Sequence, residues 1–164
     1  MNNQKGFTLI ELLIVIAIIS ILAAIVFVAL DPATRFADAR DARRYSDAAE
    51  LLHAIKIDQV DNGGSYMADI AATTSAQVYM IGTAVAGCDD QNAVCNTVVP
   101  NDTNCVDLTD LATDGYIGSV PISPNGAGTW TASITGYTLE RRGNGILIIR
   151  ACESENTGEI QVSR

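Results

Sequence analysis

The chain has 164 residues and a formal net charge of −9, from 10 Lys+Arg against 19 Asp+Glu. That balance excludes a general nucleic-acid-binding surface, which needs cations to displace counterions, and it is repelled by anionic lipid headgroups. The length suits one modest domain plus an anchor, and one N-terminal run inflates the 48% hydrophobic content, so the remainder is more polar than the average.

Met1–Gly6 is a short polar leader carrying one positive charge, Lys5. Phe7–Leu30 follows, almost entirely Leu, Ile, Val, Ala and Phe; its polar exceptions are Thr8, Glu11 and Ser20. At ~1.5 Å per residue, roughly two dozen helical residues span about 36 Å, enough for a ~30 Å hydrocarbon core. The run is too long for the apolar region of an ordinary secretory signal, about 7–15 residues. Glu11 is costly in such surroundings. A plain membrane anchor with a snorkelling Glu11, or a secretory signal cut near Ala23-Ala24, explains the apolar run. Neither explains a Gly-Phe junction before the run together with a carboxylate inside it. Lys5 sets the N-terminus on the cytoplasmic side and the remainder outside, although Arg35, Arg40, Arg43 and Arg44 beyond the span oppose that orientation.

The string Lys5-Gly6-Phe7-Thr8-Leu9-Ile10-Glu11-Leu12-Leu13 closely resembles the processing site of type IV prepilins and pseudopilins. The resemblance implies cleavage between Gly6 and Phe7 by a prepilin peptidase and methylation of the new Phe7 amine. It also implies packing of the helix into a filament core, where Glu11 pairs with the Phe7 amine of an adjacent subunit. It further implies a bacterial single-pass cytoplasmic (inner) membrane protein that ends in an extracellular or periplasmic filament, a homo-oligomer served by pilus assembly machinery.

Asp31-Pro32 ends the apolar run, with Asp31 as N-cap and Pro32 tolerated at a helix start. We expect a break at Leu30–Pro32 and a second helix from Ala33 to Val60. Tyr45, Ala48, Ala49, Leu52 and Ile55 recur at spacings of three and four, an apolar face suited to covering a sheet. Arg43–Asp47 and Asp31–Arg35 are i,i+4 pairs on the other face, each contributing a few tenths of a kcal/mol. His53 has no nucleophile at readable spacing. Asp61-Asn62-Gly63-Gly64 ends the helix, because Asn and Gly adopt the left-handed cap. Val60–Tyr66 resembles the helix-to-head junction of the same family.

The expected organisation is leader 1–6, membrane and filament-core helix 7–30, amphipathic second half 31–61, and exported head 62–164. The fold class is α+β, a long N-terminal helix packed on a small antiparallel sheet, type IV pilin-like. In the head, Gln77–Ile81, Trp130–Ile134, Tyr137–Arg142, Ile146–Cys152 and Ile160–Val162 read as strands, with a tight turn at Gly143-Asn144-Gly145. Asp107–Thr113 reads as a short helix burying Leu108 and Leu111, and Tyr116–Pro124 as irregular. The near-continuous apolar Ile146–Ile149 belongs in a central or doubly covered strand.

Cys88, Cys95, Cys105 and Cys152 all follow the anchor, and none forms a C-x-x-C pair. An even number in an exported domain points to two disulfides with three possible connectivities, of which we favour Cys88–Cys95 with Cys105–Cys152. Zinc is disfavoured because the spacings lack paired knuckles. Asp89, Asp90, Asn92, Asn101 and Asp102 offer oxygens to calcium, but without EF-hand spacing a solvated acidic loop is the simpler reading. No metal or cofactor is expected. No arrangement of nucleophile, base and oxyanion donors is present, so no catalytic residue is assigned and no enzyme is expected.

Three functions follow. The first is a structural subunit of a type IV pilus or pilus-like filament. The second is a pseudopilin of a type II secretion or DNA-uptake (competence) system. The third is an exported domain on a single anchor.

Overall fold

The apolar run forms α1, Leu9–Leu30, in a computed structural model that describes residues 6–164. Its 22 residues give a length of about 33 Å, and none of them is buried. Within the described residues it supplies the helical stretch long and apolar enough to cross a membrane. Asp31 breaks the helix with a left-handed backbone, φ 36°. It then serves the next helix from the front: its Oδ2 accepts the Thr34 hydroxyl at 2.6 Å and its carbonyl accepts the Arg35 N–H at 3.3 Å.

The second helix, α2, runs Pro32–Asp61. Asn62, Gly63 and Gly64 close it as expected; Gly63 and Gly64 have φ of 65° and 93°, and the Gly64 N–H returns to the Gln59 carbonyl at 2.7 Å. The chain divides into two compact units, one ending at Phe36 and one from Ala37 to Arg164.

In the second unit α2 covers an antiparallel sheet. Its strands are β1 (Val78–Met80), β2 (Tyr137–Arg141), β3 (Leu147–Ala151) and β4 (Gln161–Ser163), in spatial order β1-β2-β3-β4. The register pairs Leu139 with Tyr79 and Ile149, and Ile149 with Val162. β3 is internal and buried along its whole length, as its apolar sequence requires. Arg142 N–H to Ile146 carbonyl, 2.8 Å, closes the turn before it. Leu51, Leu52 and Ile55 of α2 meet Tyr137, Leu139, Leu147 and Ile149 in the main core. Each fully buried Leu or Ile there contributes about 1.5–3 kcal/mol. Two short helices, α3 (Ala68–Ala71) and α4 (Thr109–Thr113), add Ile70 and Leu111 to that core.

The structure corrects three expectations. The buried face of α2 is rotated: Ala37, Asp41, Arg44, Ala48, Leu51, Leu52, Ala54, Ile55 and Asp58 are inside, while Tyr45 is exposed. A Tyr placed inward needs a hydroxyl partner, and Arg44 has the better set of partners facing it.

Trp130–Ile134 is not a strand. The Thr131 N–H turns back to the Ile134 carbonyl at 2.9 Å, and the segment lies against Gly82, where a Cβ would sit 2.0 Å from the Ser133 carbonyl oxygen. The close backbone approach that Gly82 permits replaces ladder pairing.

The disulfides join Cys88 to Cys105 and Cys95 to Cys152, not Cys88 to Cys95. A 3-10 turn at Asn92–Val94 carries Cys95 to the end of β3, where the Asn96 N–H bonds the Cys152 carbonyl at 2.6 Å. Likewise the Cys88 N–H bonds the Asp102 carbonyl at 2.9 Å and brings the returning arm of the loop alongside. The resulting Cα separations are 5.6 and 4.3 Å. Both bridges join a second, smaller core of Met80, Val99 and Trp130.

Candidate functional site

Thr8 and Glu11 form a reciprocal cap at the start of α1. The Glu11 N–H donates to Thr8 Oγ1 at 3.3 Å, and Glu11 Oε2 accepts from both the Thr8 N–H and the Thr8 hydroxyl at 2.8 Å. Such a box satisfies two of the donors that every helix start leaves open. A carboxylate in an apolar run thus has a local reason to be there. Among the described residues no donor reaches Oε1. Gly6 and Phe7 precede the cap as exposed, non-helical backbone, and Gly6 has no atom within 4 Å of where a Cβ would lie. The remainder of the leader, including Lys5, lies outside the described residues.

An apolar helix with no face turned inward is not a soluble element; it requires a bilayer or other helices around it. The one charge on it stands at its first turn, beside the Gly6-Phe7 junction.

The second unit holds a polar centre that the spacing did not suggest. Arg44 is fully buried and donates to Asp41 Oδ1, Glu153 Oε1 and Glu155 Oε1 at 2.8 Å each, to the Pro124 carbonyl at 2.9 Å and to Ser123 Oγ at 3.2 Å. Glu153 also accepts the N–H groups of Gly126, Ala127 and Gly128 and the Trp130 indole, at 2.9–3.0 Å. Asp41 accepts the N–H groups of Glu155, Asn156 and Thr157 at 3.0–3.1 Å. Arg40 clamps Glu155 as well.

Burial pushes the Asp41 carboxyl up, but the backbone donors of Asn156, Glu155 and Thr157 outweigh it and hold it below its ordinary range. Hydrogen bonding from Arg40 leads in holding Glu155 down. Burial, then the Asp47 carboxylate 2.7 Å from its hydroxyl, push the Tyr137 phenol strongly up. Arg44 was legible in one respect: positions 41, 44, 48, 51, 55 and 58 share a helical face, and three of them are charged.

The structure brings Asp89, Asp90 and Asp102 together, their oxygens within 4.8 Å of one another. Asn92 is not with them in function, since its amide holds both the N–H and the carbonyl of Val99. Asp102 Oδ1 already accepts the Gly87 N–H at 2.7 Å. His53 is exposed on α2.

A long N-terminal helix with an apolar first half, a second half packed on a four-stranded antiparallel sheet, and a Gly-Phe junction ahead of an internal Glu together give an α+β, type IV pilin-like fold. The profile of the prokaryotic N-terminal methylation motif matches residues 1–27. Residues of this chain are 45% identical, over 76 positions, to the type IV wide pilus major component PilA4 of Thermus thermophilus. The match covers 46% of this chain and 55% of that protein, so the chain spans about half the length of the curated relative. Both findings liken the chain to type IV pilins. No solved structure is significantly similar to the chain.

Proposed function

We propose that this chain is a prepilin, processed between Gly6 and Phe7 by a prepilin peptidase, methylated at Phe7, and assembled as a structural subunit of a type IV pilus or pilus-like filament. The observation that carries this reading is α1: a helix apolar on every side, with none of its residues buried and with Glu11 at its first turn. In the membrane precursor, lipid covers it. In a filament, the same helices of neighbouring copies do. Once lipid is gone, a carboxylate among packed helices needs a cation, because an unpaired buried charge is strongly unfavourable. Cleavage creates one, the amine of Phe7, and Glu11 Oε1 is the acceptor left open to it.

The role is structural. The family consists of filament subunits, and the chemistry of assembly is burial and charge pairing, with no bond made by the subunit itself. The relative's printed name describes a pilus major component, which favours the pilus over a secretion pseudopilin. Intact-mass measurement of sheared surface material tests the proposal, combined with electron microscopy of that material. We expect a mature chain that starts at Phe7, one methyl heavier, in fibres. A subunit mass that retains Met1–Gly6, or a chain starting near Ile25, refutes it. Surface fibres absent from a producing strain whose secretion fails on deletion would move the assignment to a pseudopilin.

A further inference from the structure

A cleft of about 360 Å3 opens between α3, β1 and the returning arm of the disulfide loop. Asp69 and Thr73 line it from α3 and the turn that follows, Tyr79 from β1, and Asn101, Thr103 and Asn104 from the loop. Its walls are fixed from behind. Ile70 roots α3 in the main core, and Arg141 donates to the Thr73 carbonyl and hydroxyl. Tyr79 packs against the same core; its hydroxyl accepts the Thr74 N–H at 3.0 Å and donates to Gln77 Oε1 at 3.1 Å. The loop arm is tied down by the Cys88–Cys105 bridge and by the Val106 N–H on the Met80 carbonyl at 2.8 Å.

The front of the cleft is different. Among the described residues the Asp69 carboxylate, the Thr103 hydroxyl and the Asn104 amide have no hydrogen-bond or ion-pair partner, and all three are exposed. Asn104 sits in left-handed backbone, φ 65°, which Asn tolerates better than most residues with a side chain. A rigid aromatic ring thus shares a cleft with an acceptor-only carboxylate and with two groups that both donate and accept. That set matches a ligand whose hydroxyls do both and whose C–H face meets the electron-rich face of a ring. An anion is repelled: burial, then the carboxylates of Asp107 and Asp110, push the Asp69 carboxyl up, so the local field is negative. A simple cation makes no use of the ring or of the amide and hydroxyl donors.

We infer that this cleft binds one ring of a neutral sugar, a hexose or an N-acetylhexosamine. Tyr79 carries a C–H face of the ring, and Asp69, Thr103 and Asn104 take its hydroxyls. The volume lies at the small end of ligand sites, about 300–1,000 Å3, which suits a single ring better than a chain. Because the walls are already fixed, binding orders only the few exposed side chains. The site is separate from the Asp89, Asp90 and Asp102 group, and it does not rest on the filament assignment.

The test is saturation-transfer NMR on the full chain in a sugar-free amine-oxide detergent. The probes are galactose, glucose, mannose and N-acetylglucosamine, each as the reducing sugar and as its methyl glycoside, with N-acetylneuraminate as the anionic control. At least one neutral sugar should bind with Kd on the order of 1–10 mM. Preference for the glycoside points to a chain end and preference for the reducing sugar to a free sugar; either supports the site. Asn104→Gly keeps the left-handed backbone and removes the amide, and Asp69→Ala removes the acceptor on an exposed helical position. Each should weaken binding roughly 3–10-fold, with the fold checked by Trp130 fluorescence. Tyr79→Leu should abolish it, and the other two variants read the site should that one misfold. No transfer to any neutral sugar at about 50 mM, well above that Kd, overturns the inference. So does binding undiminished in both Asn104→Gly and Asp69→Ala, or N-acetylneuraminate bound as tightly as the best neutral sugar.

Discussion

Replacing Arg44 by Met tests whether the buried ionic centre holds α2 to the loops beyond β3. Met fills much of the same volume but supplies no donor. The change removes five hydrogen bonds, to Asp41, Glu153, Glu155, Ser123 and the Pro124 carbonyl. It leaves Asp41 and Glu153, respectively 3% and 4% exposed, without their cation. Breaking a buried pair by removing one partner costs about 3–5 kcal/mol. The lower end applies, because Asp41 and Glu153 each keep backbone donors from the segments they cap. For a unit of this size, about 3 kcal/mol lowers Tm by roughly 10–15 °C. Trp130, the sole tryptophan, donates its indole N–H to Glu153 at 3.0 Å and so reports on the centre directly. Thermal unfolding followed by its fluorescence gives the shift. Combining Glu153→Gln with Arg44→Met should cost less than the sum of the two single changes, since the pair they remove is shared, and the cycle isolates the coupling. A Tm within about 3 °C of wild type for Arg44→Met, or strictly additive costs in the double variant, refutes the account.

Other outcomes follow from the same geometry. Glu11→Leu should leave membrane insertion and leader cleavage intact while abolishing most filaments; abundant normal fibres built only from that subunit would end the pairing argument. Gly6→Val should crowd the backbone at the scissile bond and leave an uncut precursor in the membrane, read by its intact mass. Peptide mapping without reduction should recover Cys88 linked to Cys105 and Cys95 linked to Cys152. Loss of the second bridge through Cys95→Ala with Cys152→Ala should destabilise the head by about 2–4 kcal/mol, with a Cys88–Cys95 peptide as the disproof. In acid, Asp41 and Glu155 decide the sign. Their folded pKa values are depressed, so their stabilisation is complete above the unfolded carboxylate range, about pH 4, and is lost as pH falls through the lower folded values. The raised carboxyls of Asp58 and Asp69 act oppositely and soften the fall. The Trp130 midpoint in urea should therefore hold from pH 7 to about 4 and drop below it, and a flat profile down to about pH 2 would count against the ionic centre.

What the amino-acid sequence determined by itself is everything whose physics is local. An uninterrupted apolar run must be a helix in lipid or among other helices, wherever the remainder of the chain goes. Asp31-Pro32 and Asn62-Gly63-Gly64 mark helix limits because dihedral preference is a property of a few neighbouring residues. The turn at Gly143–Gly145 and the apolar β3 after it were legible for the same reason. The tertiary structure alone decided which face of α2 is inside, because that depends on partners more than a hundred positions away: Arg44 meets Glu153 and Glu155 across 109 and 111 residues. A periodicity of apolar residues cannot register a buried Arg whose solvation is replaced by distant carboxylates. The cysteine pairing belongs to the same category. Cys95 bonds Cys152 across 57 residues because a short 3-10 turn aims it at the end of β3, and no spacing along the chain encodes that direction.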